Sequence, residues 1–193
     1  MLAKIDIKKN DKEQSLFEAA YELFTEKGIN ETTISSIAKK AGVGKGTFYL
    51  YFENKYDILE KIILDKSKDV LTQAVENVRE KNYDSFEDEV LDFVNSIIEY
   101  LKDNRILLKL IYKNLSWGIF KKAYRDYDEI YEIYNLFERG YKDTDLSEEE
   151  IKMKLFMIIE LTGSVCYSSI ILEGPSDIDT MKEYLFDVIR KIL

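Results

Sequence analysis

The sequence predicts an all-α protein. An N-terminal three-helix domain of the helix-turn-helix kind is joined by a long helix to a larger helical domain, with about nine helices in total. Three observations support this. The 193-residue chain contains one proline and eight glycines, so few residues interrupt helices. Long stretches place apolar residues three and four positions apart, as on one face of a helix. Serine followed three residues later by an acidic residue opens two of these stretches.

The composition argues against most enzymes and secreted proteins. The chain has no histidine and one cysteine, Cys166, which removes the commonest general base and metal ligand and excludes an internal disulfide framework. Cys166 lies in an apolar run and is interpreted as a core or pocket-lining thiol. We therefore predict no catalytic residue, no metal and no cofactor. Neither a secretory signal nor an uninterrupted apolar stretch of about 18 residues is present, which predicts a cytoplasmic protein with no membrane partner.

The net charge of −9 is unevenly distributed along the chain. Residues 1–55 contain nine lysines and eight acidic residues, whereas residues 56–193 contain 19 basic and 29 acidic residues. Within residues 39–55 there are four lysines and a single glutamate. This asymmetry is typical of a nucleic-acid-facing domain attached to an acidic body.

Four helices are predicted in the first 80 residues. The first ends at Gly28, a natural residue to follow a helix C-terminus, and carries one apolar stripe. That stripe consists of Leu16, Ala19, Ala20, Leu23 and Phe24. A short helix capped by Thr32 or Thr33 ends at Gly42, a second short helix follows, and a long helix begins near Asn54. Two short helices joined by a glycine-containing turn and packed on a preceding helix form a helix-turn-helix.

The second domain is predicted to hold longer amphipathic helices. We place the boundary so that residues 1–55 form the helix-turn-helix domain and residues 56–193 the second domain. The predicted helices are 85–104, 104–115, 118–141, 147–173, and one from Ser176 or Asp177 to Ile192. Ser85 with Asp88, and Ser147 with Glu150, provide capping-box-like starts.

The segment "FEAAYELFTEKGINETTISSIAKKAGVGKGTFYLYFENKYDILEKI" resembles the N-terminal DNA-binding domain of the TetR family of transcriptional regulators. The resemblance covers about the first 65 residues, from "AA..LF...G" through "T.I..IA..AGV.KGT.Y.YF..K". It implies a recognition helix in the major groove, a homodimer, and a small-molecule effector held in the second domain.

The recognition helix implied by this resemblance begins at Lys45. The N-terminal residues of such a helix reach base edges. Lys45 can pair with guanine acceptors, Thr47 can contact a base or a phosphate, and Gly46 lets the backbone come close. A solvated surface lysine is the alternative for Lys45. Thr33 begins the preceding helix, whose N-terminus can hold a phosphate; a plain helix cap is the alternative.

Further contacts are implied beyond the start of this helix. By the resemblance, Tyr49, Tyr51 and Lys55 contact the operator backbone. Leu50 can offer only an apolar contact, for example to a thymine methyl group. The residues expected in the core on the other side are Phe48 and Phe52. Many family members have histidine at the position of Tyr51 and tyrosine at that of Leu50, so the operator sequence cannot be transferred from a relative.

Two apolar seams in the second domain predict a dimer interface. Helix 147–173 is apolar on two sides, which favours one face on its own core and one on a partner chain. The last helix has apolar residues at alternating spacings of three and four. The predicted interface residues are Met153, Met157, Ser164, Tyr167, Ile171, Ile178, Met181, Leu185, Val188 and Ile192. Intrachain core is the alternative for both seams.

Aromatic and polar side chains of the second domain predict an effector site. The candidates are Asn95, Glu99, Trp117, Phe120, Tyr124, Tyr127, Tyr131, Tyr134, Glu160, Thr162 and Cys166. Aromatic residues at helical spacing are also typical of a core. Glu160 interrupts an apolar run, and an ionised carboxylate there needs a partner. That partner is either an arginine or tyrosine of the same domain or a cationic ligand.

The sequence therefore predicts a dimeric regulator that is not an enzyme. We expect a repressor that binds a palindromic operator in double-stranded DNA and is released by an unknown small-molecule effector. One alternative is a helical small-molecule-binding protein or enzyme with an incidental helix-turn-helix. Another is a DNA binder without sequence preference, which would carry far more basic charge.

Overall fold

The structure is a computed structural model that describes residues 2–112, 114 and 128–193. Within these residues it contains nine α-helices and no strands, which confirms the all-α prediction. They are α1 (Leu2–Lys27), α2 (Ile34–Lys40), α3 (Lys45–Phe48), α4 (Lys55–Arg79), α5 (Phe86–Asp103), α6 (Arg105–Tyr112), α7 (Asp128–Gly140), α8 (Glu148–Cys166) and α9 (Ile178–Ile192).

The chain divides into two compact units, residues 1–65 and residues 66–193, which we call the head and the body. The division falls inside α4, ten residues after the start of that helix at Lys55. The predicted boundary after residue 55 marks that start instead.

The core of the head is the predicted apolar stripe of α1 together with residues from α2, α3 and α4. All five predicted stripe residues are buried. Ile37 and Ala38 of α2 are also buried, as are Ile58 and Ile62 of α4. Lys40 forms an ion pair with Glu22 at 2.5 Å, which links the end of α2 to α1. Short helices of one or two turns are not stable alone, so this shared core is what holds them.

Three helices of the body, α5, α8 and α9, begin at residues that the sequence offers as caps. The Ser85 hydroxyl accepts the Asp88 N–H at the start of α5. Ser147 and Glu150 form a complete capping box at the start of α8. Asp177 accepts the Thr180 N–H at the start of α9. Each cap satisfies backbone N–H groups that have no partner inside the helix.

Three predicted helices of the body are observed in part. The helix predicted over 104–115 is described as α6, from Arg105 to Tyr112, and the one predicted over 118–141 is described from Asp128 onward, the residues between lying largely outside the described part of the chain. Helix 147–173 is α-helical only to Cys166 and continues as a π-helical segment, Tyr167–Ile171. Such segments are rare and give no clear signal in hydrophobic periodicity.

An aromatic cluster joins the start of α5 to the end of α7. The Phe86 ring meets Phe137 edge-on, with centroids 5.6 Å apart, and Tyr141 at 5.3 Å. The ring lies against Gly140, where a Cβ atom would fall on the ring atoms. Gly140 therefore lets the aromatic ring approach the α7 backbone.

One stretch of the body is unusually apolar. Glu148–Ile171 is long and apolar enough to cross a membrane by length and composition, with a mean hydropathy of 1.4 in its most apolar window. Only 39% of that window is buried inside the chain. A core helix of a soluble protein passes the same test, but this one leaves much of its apolar surface uncovered.

Candidate functional site

The turn between α2 and α3 is shaped by backbone hydrogen bonds. The Val43 N–H donates to the Ala38 carbonyl at 3.0 Å, and the Gly42 N–H donates to the Lys39 carbonyl at 3.2 Å. This pair of bonds is a Schellman motif. Gly42 has a φ of 68°, a left-handed conformation that glycine adopts without a steric penalty. The motif ends α2 and sets the direction in which α3 leaves.

Of the two predicted candidates, Thr32 and Thr33, it is Thr33 that caps α2. Its hydroxyl oxygen accepts the Ser36 N–H at 3.1 Å, and the Ser36 hydroxyl accepts the Thr33 N–H at 3.1 Å. The Thr33 hydroxyl is therefore engaged by α2 itself. A phosphate at this helix end would be met by the backbone N–H groups that remain unpaired.

The inner side of α3 and the turn after it is anchored by two aromatic residues. Phe48 is 0% exposed and Phe52 is 3% exposed, and their ring centroids are 5.5 Å apart. Both predicted core positions are confirmed. Because these rings point inward, the other side of this segment faces outward.

The outward side carries the predicted DNA-contacting residues. Lys45 and Gly46 are exposed, and Thr47 is half-buried. Tyr49 is 52% exposed and Leu50 is 77% exposed. A leucine this exposed contributes little to its own fold, and within the described residues the Lys45 ammonium forms no ion pair or hydrogen bond. The structure thus presents these side chains to solvent on one short segment, together with half-buried Tyr51.

Lys55, also predicted to contact DNA, has intramolecular partners. Its ammonium donates to the carbonyls of Ile29 at 2.8 Å, Asn30 at 3.3 Å and Thr32 at 3.1 Å. These carbonyls belong to the turn between α1 and α2. The sequence gives no local signal for this contact, because the partners lie more than 20 residues away.

In the body, a lysine that the sequence analysis did not single out holds two of the predicted effector residues. The Lys182 ammonium donates to Asn95 at 2.9 Å and to Glu99 at 3.0 Å. Lys102 bridges Glu99 and Asp179 at 3.2 and 2.9 Å. The hydrogen bond from Lys182 is the main reason that the pKa of Glu99 lies below its ordinary value. Asn95 and Glu99 therefore belong to a network that joins α5 to α9.

An open polar cleft of about 500 Å³ lies between α4 and α5. Asn95 and Glu99 line it, together with the side chains of Gln73, Asn77 and Asn104. Amide groups can both donate and accept hydrogen bonds, so the cleft suits a polar molecule better than an apolar one.

The other predicted effector residues are dispersed. Cys166 is fully buried, and burial, with a smaller contribution from the charge of Glu99, raises the pKa of its thiol to about 12. The Thr162 hydroxyl is buried and donates to the Ile158 carbonyl. Tyr131 is 46% exposed, whereas Tyr134 is buried. Four predicted residues lie outside the described part of the chain: Trp117, Phe120, Tyr124 and Tyr127.

Glu160 is half-buried on α8 and has no ion-pair partner among the described residues. Burial raises the pKa of its carboxyl group above the ordinary value. The neutralising arginine or tyrosine that the sequence analysis considered is not found in the described part of the body. Nor does that part contain a group of three or more cysteine, aspartate or glutamate side chains placed to hold a metal ion.

Comparison with known proteins identifies the domain type of the head. The family model described as "Bacterial regulatory proteins, tetR family" matches residues 16–62, from α1 into α4. The match contains the capped α2, the Schellman turn and α3. The head contains a TetR-family DNA-binding domain.

Relatives of this chain match over different lengths. The "Fatty acid metabolism regulator protein" of Bacillus subtilis is 40% identical over 73 residues, which is 38% of this chain and 38% of the relative. That match therefore spans well under half of the relative. An HTH-type transcriptional regulator of Staphylococcus aureus is 24% identical over 186 residues, which is 95% of this chain and 94% of the relative.

Solved structures share the TetR-family fold over both units. A TetR-family transcription regulator from Shewanella sp. PV-4 has a TM-score of 0.70 at 16% identity and covers 92% of this chain and 95% of its own. FadR from Bacillus subtilis, in complex with stearoyl-CoA, has a TM-score of 0.65 at 20% identity and covers 93% and 98%. At these identities the likeness shows the fold.

The predicted dimer seams of the body divide between core and surface. Ile178 and Leu185 are buried in their own chain, which is the alternative that the sequence left open. Met153, Met157 and Val188 are between 44% and 49% exposed. The half-buried members are Ser164, Tyr167, Ile171, Met181 and Ile192. Only the exposed and half-buried residues remain available to a partner chain.

Proposed function

We propose that this TetR-family protein is a cytoplasmic transcriptional repressor that binds a palindromic operator as a homodimer and is released by a small-molecule effector. The observation that supports this most is the outward side of α3. There Lys45, whose ammonium has no partner among the described residues, lies beside Gly46, whose missing side chain leaves the backbone accessible. Such an arrangement fits the major groove, where lysine can pair with guanine acceptors.

In this proposal the contacts divide into two classes. Lys45, Thr47 and Leu50 contact base edges and select the sequence. Backbone contacts place the head without reading sequence. The residues assigned to the backbone are Thr33, Tyr49 and Tyr51.

The exposed apolar residues of α8 and α9 support the dimer. Met153, Met157 and Val188 expose apolar surface on the two helices that the sequence assigned to the interface. A two-fold dimer covers such surface by placing the same patch of two subunits together. Two heads then contact half-sites about 34 Å apart or a multiple of that distance.

The effector is proposed to act through α4. This helix begins in the head and continues into the body without a break between Lys55 and Arg79. A molecule bound in the body that tilts α4 would change the separation of the two heads, and a shift of a few ångströms would break the match to the half-sites. Binding of effector and operator must then oppose one another to the same extent.

The first test selects bound sequences from random duplex DNA with the wild-type protein and with the Lys45→Ala, Thr47→Ala double variant. We expect a palindromic site that the wild type enriches and the double variant does not. Lys191→Ala, at an exposed lysine of the body, is the control and should enrich the same site. Enrichment by the double variant equal to the wild type would contradict the assigned readout, and enrichment of no site by the wild type would contradict operator binding.

The second test looks for release of that operator by a small molecule. Stearoyl-CoA is the first compound to use, because it is the ligand in the Bacillus subtilis FadR structure, and CoA alone is the matched control. Release by stearoyl-CoA only would assign a long-chain acyl-CoA effector. Release by neither would exclude that class, and a wider screen on the same duplex would follow.

A further inference from the structure

We infer that Lys55 is a positioning residue: it fixes the turn between α1 and α2, and through that turn the N-terminus of α2, instead of contacting operator phosphate. The inference rests on the proposed operator binding. It departs from the role that the family resemblance implies for this lysine.

The hydrogen bonds of Lys55 account for all its donors. A lysine ammonium has three N–H groups and no acceptor. Three carbonyls converge on it, those of Ile29, Asn30 and Thr32, at distances of 2.8 to 3.3 Å. A phosphate could be bound only by giving up one of these bonds, and bonds from a charged donor are among the stronger ones in proteins.

The same turn is held from its other side by Thr32. This residue is 1% exposed, and its hydroxyl lies within hydrogen-bond distance of the Gly28 carbonyl at 2.8 Å and of the Leu23 carbonyl at 3.2 Å. Thr32 thus donates to carbonyls near the end of α1, while Lys55 donates to carbonyls of the turn itself. Turn carbonyls have no helical partner, so these two side chains supply the bonds that define its shape.

The placement of α2 follows from the placement of the turn. Thr33, the cap of α2, comes directly after Thr32, whose carbonyl is bound by Lys55. Lys55 is itself the first residue of α4. The Lys55 ammonium therefore links the start of α4 to Thr32, the residue before the cap of α2, within the head.

Charge-preserving and charge-removing variants separate the two roles. Lys55→Arg keeps the charge, but a planar guanidinium cannot direct three N–H groups at one cluster of carbonyls as an ammonium does. We expect Lys55→Arg to bind the selected operator at least about tenfold more weakly, the loss expected when one charged hydrogen bond is broken. Operator affinity equal to the wild type would overturn the inference, because arginine would preserve a phosphate contact.

The salt dependence of binding gives a second readout. Loss of a phosphate contact lowers the slope of log affinity against log salt by about 0.9 per lysine, or about 1.8 for a dimer. For Lys55→Gln we expect weaker binding with an unchanged slope. A slope lowered by about 1.8 would assign Lys55 to the phosphates.

A double-mutant cycle tests whether Lys55 acts through the cap of α2. Thr33→Ala should weaken operator binding less in a Lys55→Gln background than in the wild type, because the cap is already displaced. The control cycle pairs Lys55→Gln with Thr47→Ala on α3 and should be additive. All variants are compared at a temperature at which circular dichroism shows them folded. Additivity in both cycles would mean that Lys55 contributes stability alone.

Hydrogen exchange in the absence of DNA keeps this inference separate from operator binding. We expect Lys55→Gln to accelerate amide exchange across residues 29–36 about tenfold or more relative to the body. Unchanged exchange there would overturn the positioning role even if the operator is bound. Accelerated exchange together with no selected operator would support the role of Lys55 in positioning the turn and would contradict the proposed function.

Discussion

The polar bonds within the head and those within the body differ in how far apart in the sequence their partners lie. In the head, the bonds that cap α2 and form the turn before α3 join residues at most five positions apart, as between Thr33 and Ser36 or Ala38 and Val43. The bonds from Lys55 to the turn between α1 and α2 are longer in range and span 23 to 26 residues. In the body, the principal polar contacts span most of the unit: Lys182 to Asn95 spans 87 residues. Arg190 to Glu87 spans 103. Because the bonds of α2 and its turn are local, a short sequence motif predicts the structure of this part of the head. The arrangement of the body depends on which helices pack together, so the sequence alone does not predict it.

The two units also differ in how they cover apolar surface. In the head, the large apolar side chains that remain exposed belong to the proposed DNA-contacting segment or lie beside it, with Leu50 at 77% and Tyr49 at 52%. In the described part of the body, several lie on α8 and α9, as with Met153 and Val188, and others, such as Ile106 and Tyr131, lie on α6 and α7. The uncovered surface of the head suits nucleic acid, and that of the body suits a second protein chain.

Removal of a buried ring from the head should have the largest effect on stability. Phe48→Ala deletes a fully buried side chain and should lower the free energy of unfolding by about 3–5 kcal/mol. Leu50→Ala, two residues away and exposed, should change it by less than about 0.5 kcal/mol. Denaturant unfolding of the two variants measures both. Similar losses would mean that the two faces of this segment are not separated as the structure places them.

A glycine substitution tests packing in the body. Gly140→Ala must displace the Phe86 ring, and overpacking of this kind costs about 1–3 kcal/mol. Gly163→Ala is the control, since its Cβ would make only an ordinary contact of 4.0 Å with Tyr112. In the interior of α8 it should be neutral or stabilising by up to about 1 kcal/mol. Thermal unfolding in which both alanines behave alike would disprove the close approach of the ring.

Helix caps provide a direct comparison of the two units. Thr33→Ala in the head and Ser147→Ala in the body should each cost about 1 kcal/mol of stability. Only Thr33→Ala should also weaken operator binding, because its helix faces DNA in the proposed function. Calorimetry and operator titration of both variants test this. Equal losses of operator affinity would show that cap effects reach DNA only through overall stability.

The smallest effect is expected at Glu160, and it should depend on pH. Burial raises the pKa of this carboxyl group in the folded protein above the ordinary 4.5, so its ionisation opposes folding as pH rises through that range. Glu160→Gln should therefore be more stable than the wild type at pH 7, and the difference should vanish below pH 4.5. Unfolding measured across this range decides the point. Greater stability of the wild type at pH 7 would reveal a partner for the carboxylate.

Sequence reasoning succeeded where short-range chemistry determines the structure. The caps at Thr33, Ser85 and Ser147, the apolar stripe of α1, and the inward Phe48 were all predicted and observed. Each depends on residue types a few positions apart.

What the sequence did not reveal depends on contacts between distant segments. The three carbonyls bound by Lys55 and the pairing of Lys182 with Asn95 and Glu99 require knowledge of which helices adjoin. The spacing of Ile178 and Leu185 is that of a coiled-coil-like seam, which is compatible with either an intrachain core or a dimer interface. Their burial in the folded chain assigns them to the core. The π-helical segment after α8 likewise leaves the apolar pattern unchanged.

The contact between Phe86 and Gly140 has a mechanical consequence. Gly140 lacks the side chain that would exclude the ring, whereas the residues one helical turn before it on α7 are Leu136 and Phe137. Sliding α7 along α5 by one turn, about 5.4 Å, would bring one of those bulky side chains under the ring. The pair of helices therefore has a single axial register. A movement that keeps the contact between Phe86 and Gly140 would be a pivot about this point and not a slide along the helix.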